Sequence, residues 1–438
     1  MPPLRSTGAP IGDWAEESVA TFHAVEAAPQ RVTKSGDLRA RGSSHHGFYN
    51  DCKREQLVHV QAQIRGTRGR PMEDSTQTKQ AVARNVLKKS LKVKSGENVA
   101  IETWSETLPW ANAFVLEARR IGAHPVLLYE DEETYWDSVR RFKPSAVGTV
   151  GNHEWKLLDE SDAYVFFFGP SDWTRYDGLA RGGFDKLIAY NREWYRRAAR
   201  QKLRGVRMYL GRTSPATADR FGVDLDTWRH ELDAASLVDP IEFTRAASRI
   251  ERRLHQGKEL NITHPNGTEL NLRLRGYQVQ IDDGAVDEYD IRHGNNLAYI
   301  PGGVVGVALD ERFAEGRIIA NRTGYPQTGP LDGGHWTFER GKLSEFEFGK
   351  GAAQFEKDFS KAPKGKDSPA FFSIGLNPKL SMSPQMEDQV LGNITVGIGG
   401  NAFRGGKNSC PFVSWVALQG ATATLDGQPL VSAGKLEV

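Results

Sequence analysis

The stretch from residue 98 to residue 129 restricts the fold more than any other part of this chain. A short apolar run, Asn98-Val99-Ala100-Ile101-Glu102, is followed by Trp110, Phe114, Val115, Ala118 and Ile121, which mark one face of a helix. Gly122 is placed to end that helix, and Pro125-Val126-Leu127-Leu128-Tyr129 reads as a second strand. Strand, helix and strand joined by short turns form a right-handed unit that belongs in a parallel sheet covered by helices. Upstream, Val82, Val86, Leu87 and Leu91 recur at helical spacing before a turn at Ser95-Gly96. Downstream, Ala163 to Phe168 and Val206 to Leu210 read as further strands, with a long basic helix from Leu187 through Trp194 and Tyr195 between them. No glycine-rich dinucleotide or phosphate loop follows any of these strands, so a bound nucleotide has no support.

The texture changes after His255-Gln256-Gly257. Residues 259–263 and 269–274 alternate with period two around Pro265-Asn266-Gly267-Thr268, a hairpin signature. Short alternating strands and glycine-rich turns then continue almost to the C-terminus. The expected fold class is therefore α/β plus α+β, with a parallel-sheet α/β domain over 72–257 and a β-rich domain over 258–438. Residues 1–71 are rich in Gly, Pro, Ser, Arg and His, bury little apolar surface, and are predicted to be a disordered extension. Met72 reads like an alternative start, and His45-His46 makes a poor metal site without fixed partners.

Composition narrows the function classes. The 438 residues carry a formal net charge of only +2, which gives no strong field to recruit nucleic acid or an anionic membrane. No stretch approaches the roughly 20 apolar residues of a membrane span. The N-terminus lacks the apolar core of a secretory signal, and Cys52 and Cys410 lie far apart, so a reducing cytoplasm is expected.

The order of several short motifs resembles the aminopeptidase T family from about Met72 to the end. The resemblance rests on the segment VLKKSLKVKSGENVAIETWSETLPWANAFVLEARRIGAHPVLLY, on Gly169-Pro170, and on Thr213-Ser214-Pro215-Ala216 followed by Gly222-Val223-Asp224-Leu225-Asp226. In the second half it rests on the hairpin GKELNITHPNGTELNLRL, on Phe372 through Gly375-Leu376-Asn377-Pro378, and on Leu391-Gly392 through Gly406-Lys407-Asn408. The resemblance implies a homodimeric peptide N-terminal hydrolase that uses two divalent ions, held by carboxylates and imidazoles, to activate water.

The positions matching those ligands carry none of them. The expected correspondences are Val304 and Gly349 for two glutamates, Val396 for a first histidine and Ser414-Trp415-Val416 for a final His-Trp-Asp, with Phe403 in place of a tyrosine. No histidine occurs after His335. The expectation is that no metal and no other cofactor is held. The chain is then either an aminopeptidase-like hydrolase with a rebuilt site, or a non-catalytic protein that binds a peptide or small amine-containing ligand in the old substrate cavity; a dimeric scaffold is a third reading.

Other polar groups remain as candidates. Asp310-Glu311 resembles an acidic pair of the family and could hold an ammonium, although a surface turn is the blander reading. Lys407 and Asn408 lie in a glycine-rich loop suited to cradling a carboxylate, and with Phe403 and Ser414 complete the expected ligand contacts. Asp287, Asp290 and His293 could form an oxygen-rich site, against the plainer reading of a solvated acidic turn. The basic helix around Arg196-Arg197 reads as a solvated face rather than a nucleic-acid surface.

Overall fold

The apolar periodicity of the sequence is realised as two sheets that divide the chain between them. The computed structural model describes residues 75–179, 183–324, 331–349, 352–381 and 386–437. The predicted extension over 1–71, including His45, His46 and Cys52, lies outside them. Both sheets belong to one compact unit, from Lys79 onward.

The first sheet is parallel throughout and runs β2-β1-β3-β4-β8, with β1 Asn98–Trp104, β2 His124–Glu130, β3 Ala163–Phe167, β4 Arg204–Met208 and β8 Leu297–Ile300. The helix Leu108–Ile121 joins β1 to β2 and ends on Gly122 at φ 87°, the left-handed conformation that glycine adopts without penalty. One face of this sheet is mainly apolar, with Thr103 and Arg204 as polar members in β1 and β4. Val99, Ile101, Val165, Phe167, Val206 and Met208 are all fully buried there, in one cluster with Phe114, Ala118, Trp228 and Leu232 from covering helices. β8 joins this sheet although it lies beyond residue 258 in sequence. The basic helix starts later than predicted. A short helix, Gly183–Leu187, stops before residues 188–190, and a separate helix, Asn191–Gln201, comes after the break.

The second sheet is largely antiparallel and holds 14 strands among the described residues. Its main path begins β11 (Leu331–Asp332), β10 (Arg322–Gly324), β16 (Val413–Leu418), β15 (Ile394–Gly399), β14 (Pro369–Gly375) and β9 (Val304–Ile319). It continues through β6 (Thr268–Leu274), β5 (Glu259–His264), β17 (Thr422–Leu425), β18 (Gln428–Ser432) and β19 (Lys435–Leu436). β7 (Gln280–Asp282), β12 (His335–Glu339) and β13 (Lys342–Glu347) pair off that path. The predicted hairpin forms in register, with Glu259 opposite Arg273 and His264 opposite Thr268. The helix Pro240–Gln256 packs Phe243, Ala247, Ile250 and Leu254 into the core on one face of this sheet.

Gly375-Leu376-Asn377-Pro378 joins the two layers. At Gly375 a Cβ would sit 2.0 Å from the Val390 carbonyl oxygen, so only glycine fits. The fully buried Asn377 carboxamide donates to Gly302 O at 3.0 Å and Ala235 O at 3.4 Å, and accepts from Lys379 N at 3.0 Å. Buried carbonyls require such donors, which gives this motif a structural purpose.

Candidate functional site

Three places bear on function, and the register of the strands decides what each contains. The first is the face of the second sheet that carries Val304. Antiparallel pairing puts directly opposed side chains on one face, and alternate residues on the other. Gln280, Gly306, Ser373, Thr395, Ala417 and Arg322 therefore form one transverse row, two residues along β9 from Val304. Val396 lies opposite Phe372 and Val416, and Ser414 opposite Ile398, so both point to the other face, where these neighbours form the main apolar core. Gly349 comes after β13, which pairs through β12 with the far end of β9 at residues 316–319. The four positions matched to metal ligands thus do not share a face. Shifting by one residue brings Thr395, Gly397 and Trp415 onto the Val304 face, and none of these carries an imidazole or a carboxylate.

Along the row through Gly306, Ser373 and Thr395 that face is polar and buried. Ser373 and Thr395 are fully buried, and their hydroxyls find no hydrogen-bond partner among the described residues; the same is true of Arg404 Nε and Arg322 Nη1. Arg404 Nη1 lies 3.2 Å from where a Cβ would stand on Gly306, so the guanidinium fills the space left by that glycine. Arg322 faces Glu387 at 3.5 Å and Arg404 faces Asp388 at 3.8 Å. Burial pushes Glu387 up to about 7 and raises Asp388, each opposed by its arginine. Asp282 is pushed to about 7 by burial, against hydrogen bonds from the Tyr299 and Gly284 amides. Among the described residues no group of three or more His, Cys, Asp or Glu side chains is placed to hold a metal ion.

The second place is the loop of Lys407 and Asn408. Where the sequence suggests a cradle for a ligand's carboxylate, the loop contacts a carboxylate of the protein itself. Glu311 accepts from Lys407 N at 3.0 Å, Asn401 Nδ2 at 3.0 Å and Tyr277 Oη at 3.0 Å. Burial alone would raise its pKa, but the bonds from Asn401, Lys407 and Tyr277 hold it below the ordinary value. Asp310 is taken up by Arg312 in a two-pronged pair at 2.8 and 2.7 Å, which lowers its pKa. Asn408 spends its amide on Gly365 O and Gly399 O. Phe403 packs edge-on against Phe371 at 5.5 Å, on the face opposite the buried Ser414. The structure therefore brings Glu311, Lys407 and Asn408 together, and leaves Ser414 apart from them.

The acidic run at 282–290 is not an open turn. Asp287 caps the helix Glu288–His293, accepting from the amides of Tyr289 and Asp290, while the Asp290 side chain accepts from the Asp287 amide. This reciprocal capping box uses the carboxylates that the sequence offers as metal ligands.

The third place is one that motif order does not reveal. A cavity of about 310 Å³ lies over the second face of the parallel sheet. Parallel pairing aligns Leu128, Glu102, Phe166, Arg207 and Tyr299 across β2, β1, β3, β4 and β8. Trp104, Glu130, Tyr164 and Phe168 extend the lining from the same sheet, while Glu154 and Trp155 come from the helix Asn152–Asp159 and Trp194 from the helix Asn191–Gln201. The Tyr164 hydroxyl donates to Glu102 Oε2. Burial pushes Glu102 up to about 7 despite that bond, and Glu130 and Glu154 push in the same direction. Glu130, which is more exposed, is also raised to about 7, by burial and by Glu154. Arg207 is enclosed by aromatic rings, with Tyr195 at 5.1 Å and Phe168 at 5.7 Å, and its Nη1 donates to the Tyr299 hydroxyl at 3.4 Å. A signal is present in the sequence: Glu102 and Arg207 interrupt strands that a parallel sheet should bury on both faces.

Layer order, topology and the glycine-rich returns define a mixed α/β chain with an aminopeptidase T-like fold. Wild-type AmpT from Thermus thermophilus superimposes with a TM-score of 0.62 at 17% identity, over 83% of this chain and 99% of that one. 2,5-Dihydroxypyridine dioxygenase from Pseudomonas putida KT2440 superimposes with a TM-score of 0.52 at 15% identity, over 83% and 98%. No protein-family model and no curated relative matches the chain.

Proposed function

We propose that this chain uses an aminopeptidase T-like scaffold to bind a peptide or small amine-containing molecule, without two-metal peptide hydrolysis. The supporting observation is the make-up of the Val304 face. Two-metal hydrolysis needs carboxylates and imidazoles converging on one cavity. This face presents valine, glycine, two hydroxyls and the guanidinium groups of Arg322 and Arg404; its carboxylate opposite Val304, Asp282, accepts from the Gly284 and Tyr299 amides, and the nearby Glu387 and Asp388 are turned to the arginines. A guanidinium stays charged at any working pH and repels a divalent cation. The fold does not select the chemistry either, since one similar structure is an aminopeptidase T and another is named a dioxygenase.

Metal analysis of the purified full-length protein, paired with aminoacyl-anilide assays with and without chelator, tests this reading. The expected result is no stoichiometric divalent metal and no cleavage. Two tightly bound ions with chelator-sensitive cleavage would refute it. Assembly as a homodimer belongs to the same reading and is checked by sedimentation equilibrium.

A further inference from the structure

We infer that the cavity over the parallel sheet binds a small organic amine, taken up as its ammonium ion between aromatic walls and the carboxylates of Glu102, Glu130 and Glu154. This deepens the binding reading above and rests on it only in that binding, rather than turnover, is what the site performs.

A parallel sheet is normally covered by helices on both faces, so both are expected to be apolar. The centre of the opposite face obeys that rule in β1, β3 and β4, as Val99, Ile101, Val165, Phe167, Val206 and Met208 show. The cavity face breaks it at neighbouring levels of β1 and β2, with Glu102 and then Glu130. A carboxylate out of water costs stability unless a cation or several donors compensate it. Among the described residues neither Glu102 nor Glu130 has an ion pair, and the hydrogen bond to the Glu102 carboxylate comes from Tyr164. Arg207, Arg212 and Arg220 also line the cavity, and among the described residues none of them forms an ion pair with Glu102 or Glu130. Arg207 stands two strands away across Phe166, surrounded by rings and bonded to Tyr299. The carboxylates of Glu102 and Glu130 are thus concentrated on β1 and β2 at one end of the cavity without an ion pair, Glu102 half-buried and Glu130 nearer the opening, while Glu154 has His153 at 3.5 Å.

The walls suit the same ligand. Aromatic faces attract a cation through the ring quadrupole, most strongly once water is excluded. Trp155, Tyr164 and Trp194 line the cavity beside the carboxylates, and Tyr164 and Trp194 meet edge-on at 5.2 Å. Carboxylates and rings together recognise an ammonium group on an apolar body. A neutral compound would leave the carboxylates uncompensated, and an anion would be repelled at the end of the cavity that carries Glu102 and Glu130. The volume lies near the lower end of the range of about 300–1,000 Å³ typical of ligand pockets, which selects an amine with a single ring system or a short chain. The raised pKa values of Glu102 and Glu130 agree with a site whose charge is completed by its ligand.

Calorimetric titration of the full-length protein with tryptamine, phenethylamine and cyclohexylamine tests the assignment, with indole-3-propionate and 3-ethylindole as anionic and neutral counterparts. The expected result is saturable binding of at least one amine and none of the counterparts at comparable concentration. Glu102→Gln should weaken amine binding by about tenfold or more, since it removes a charge-assisted contact. Glu130→Gln is the second variant, should circular dichroism show that Glu102→Gln does not fold. A bound cation favours the ionised carboxylate, so binding below the raised pKa should release protons, read as heats that depend on the buffer's ionisation enthalpy. The assignment is overturned if none of the amines binds the folded protein at millimolar concentration. It is equally overturned if indole-3-propionate binds as well as tryptamine, or if every folded glutamine variant binds amines as the parent does. Detection of chelator-sensitive peptidase activity would refute the binding-protein reading and leave this measurement to stand by itself.

Discussion

Replacing Glu102 by glutamine should make the protein more stable at alkaline pH, and the size of the effect depends on where the carboxylate sits. In the folded chain its pKa is pushed from 4.5 to about 7, first by burial, then by Glu130 and Glu154, against the Tyr164 hydrogen bond and the Arg207 charge. Between those two values the folded form holds a proton that the unfolded chain has lost. The stability tied to that proton is complete below 4.5 and is lost as pH rises through about 7. At about 1.4 kcal/mol per pKa unit, the ceiling is about 3 kcal/mol, and roughly half of that remains once solvent entering the cavity is allowed for. Glutamine keeps an acceptor for the Tyr164 hydroxyl and removes the titration. The assay is urea unfolding of parent and variant between about pH 5 and pH 8.5, taken as a difference so that the other titrating groups cancel. The variant should gain on the parent by about 1.5–3 kcal/mol across that range. A difference curve flat from end to end would show that Glu102 titrates as an ordinary solvated carboxylate, and would remove the electrostatic support for an amine site. The gain should come with weaker amine binding, the usual exchange of function for stability at a strained site.

Three further outcomes rest on particular contacts. Asn377→Ala leaves the Gly302 and Ala235 carbonyls and the Lys379 amide without their partner, and should cost about 2–4 kcal/mol in urea unfolding with an unchanged m-value; a loss below about 0.5 kcal/mol would contradict its joining role. Gly169→Ala would place a Cβ 2.2 Å from the Trp104 indole, so the ring must move and the cavity wall with it. It should cost about 1–3 kcal/mol and change the near-ultraviolet dichroism of the protein. Asp287→Ala removes the cap of the helix Glu288–His293 and should cost about 1 kcal/mol, with faster hydrogen exchange at the Tyr289 and Asp290 amides.

Much of the fold is legible in the sequence because local patterns carry it. Val99 to Ile101, the helix stopped by Gly122 and the hairpin around Gly267 each depend on periodicity or on a single turn residue, and all three form as expected. The basic helix is legible only in part, because the break at residues 188–190 interrupts a pattern that composition alone would continue. The candidate sites fare differently for a related reason. The glycines around Lys407 suggest a loop able to meet a carboxylate, but nothing in the sequence shows that Glu311, 96 residues earlier, is bonded to the Lys407 amide. Likewise motif order assigns Val396 and Ser414 to the cavity of Val304, and a shift of one residue in a strand changes the face.

By itself the sequence determined the two kinds of sheet and the absence of imidazole from the final hundred residues. It also determined the order of motifs that matches an aminopeptidase T-like fold. Tertiary structure decided which side chains meet. Glu102, Phe166 and Arg207 are far apart in the chain and come into one row only because β1, β3 and β4 pair in a particular register. Period two in a strand says which residues share a face; lateral pairing and the helices that cover that face decide whether a charge there is solvated, paired or enclosed. That long-range choice turned an unremarked glutamate in an apolar strand into the wall of a cavity.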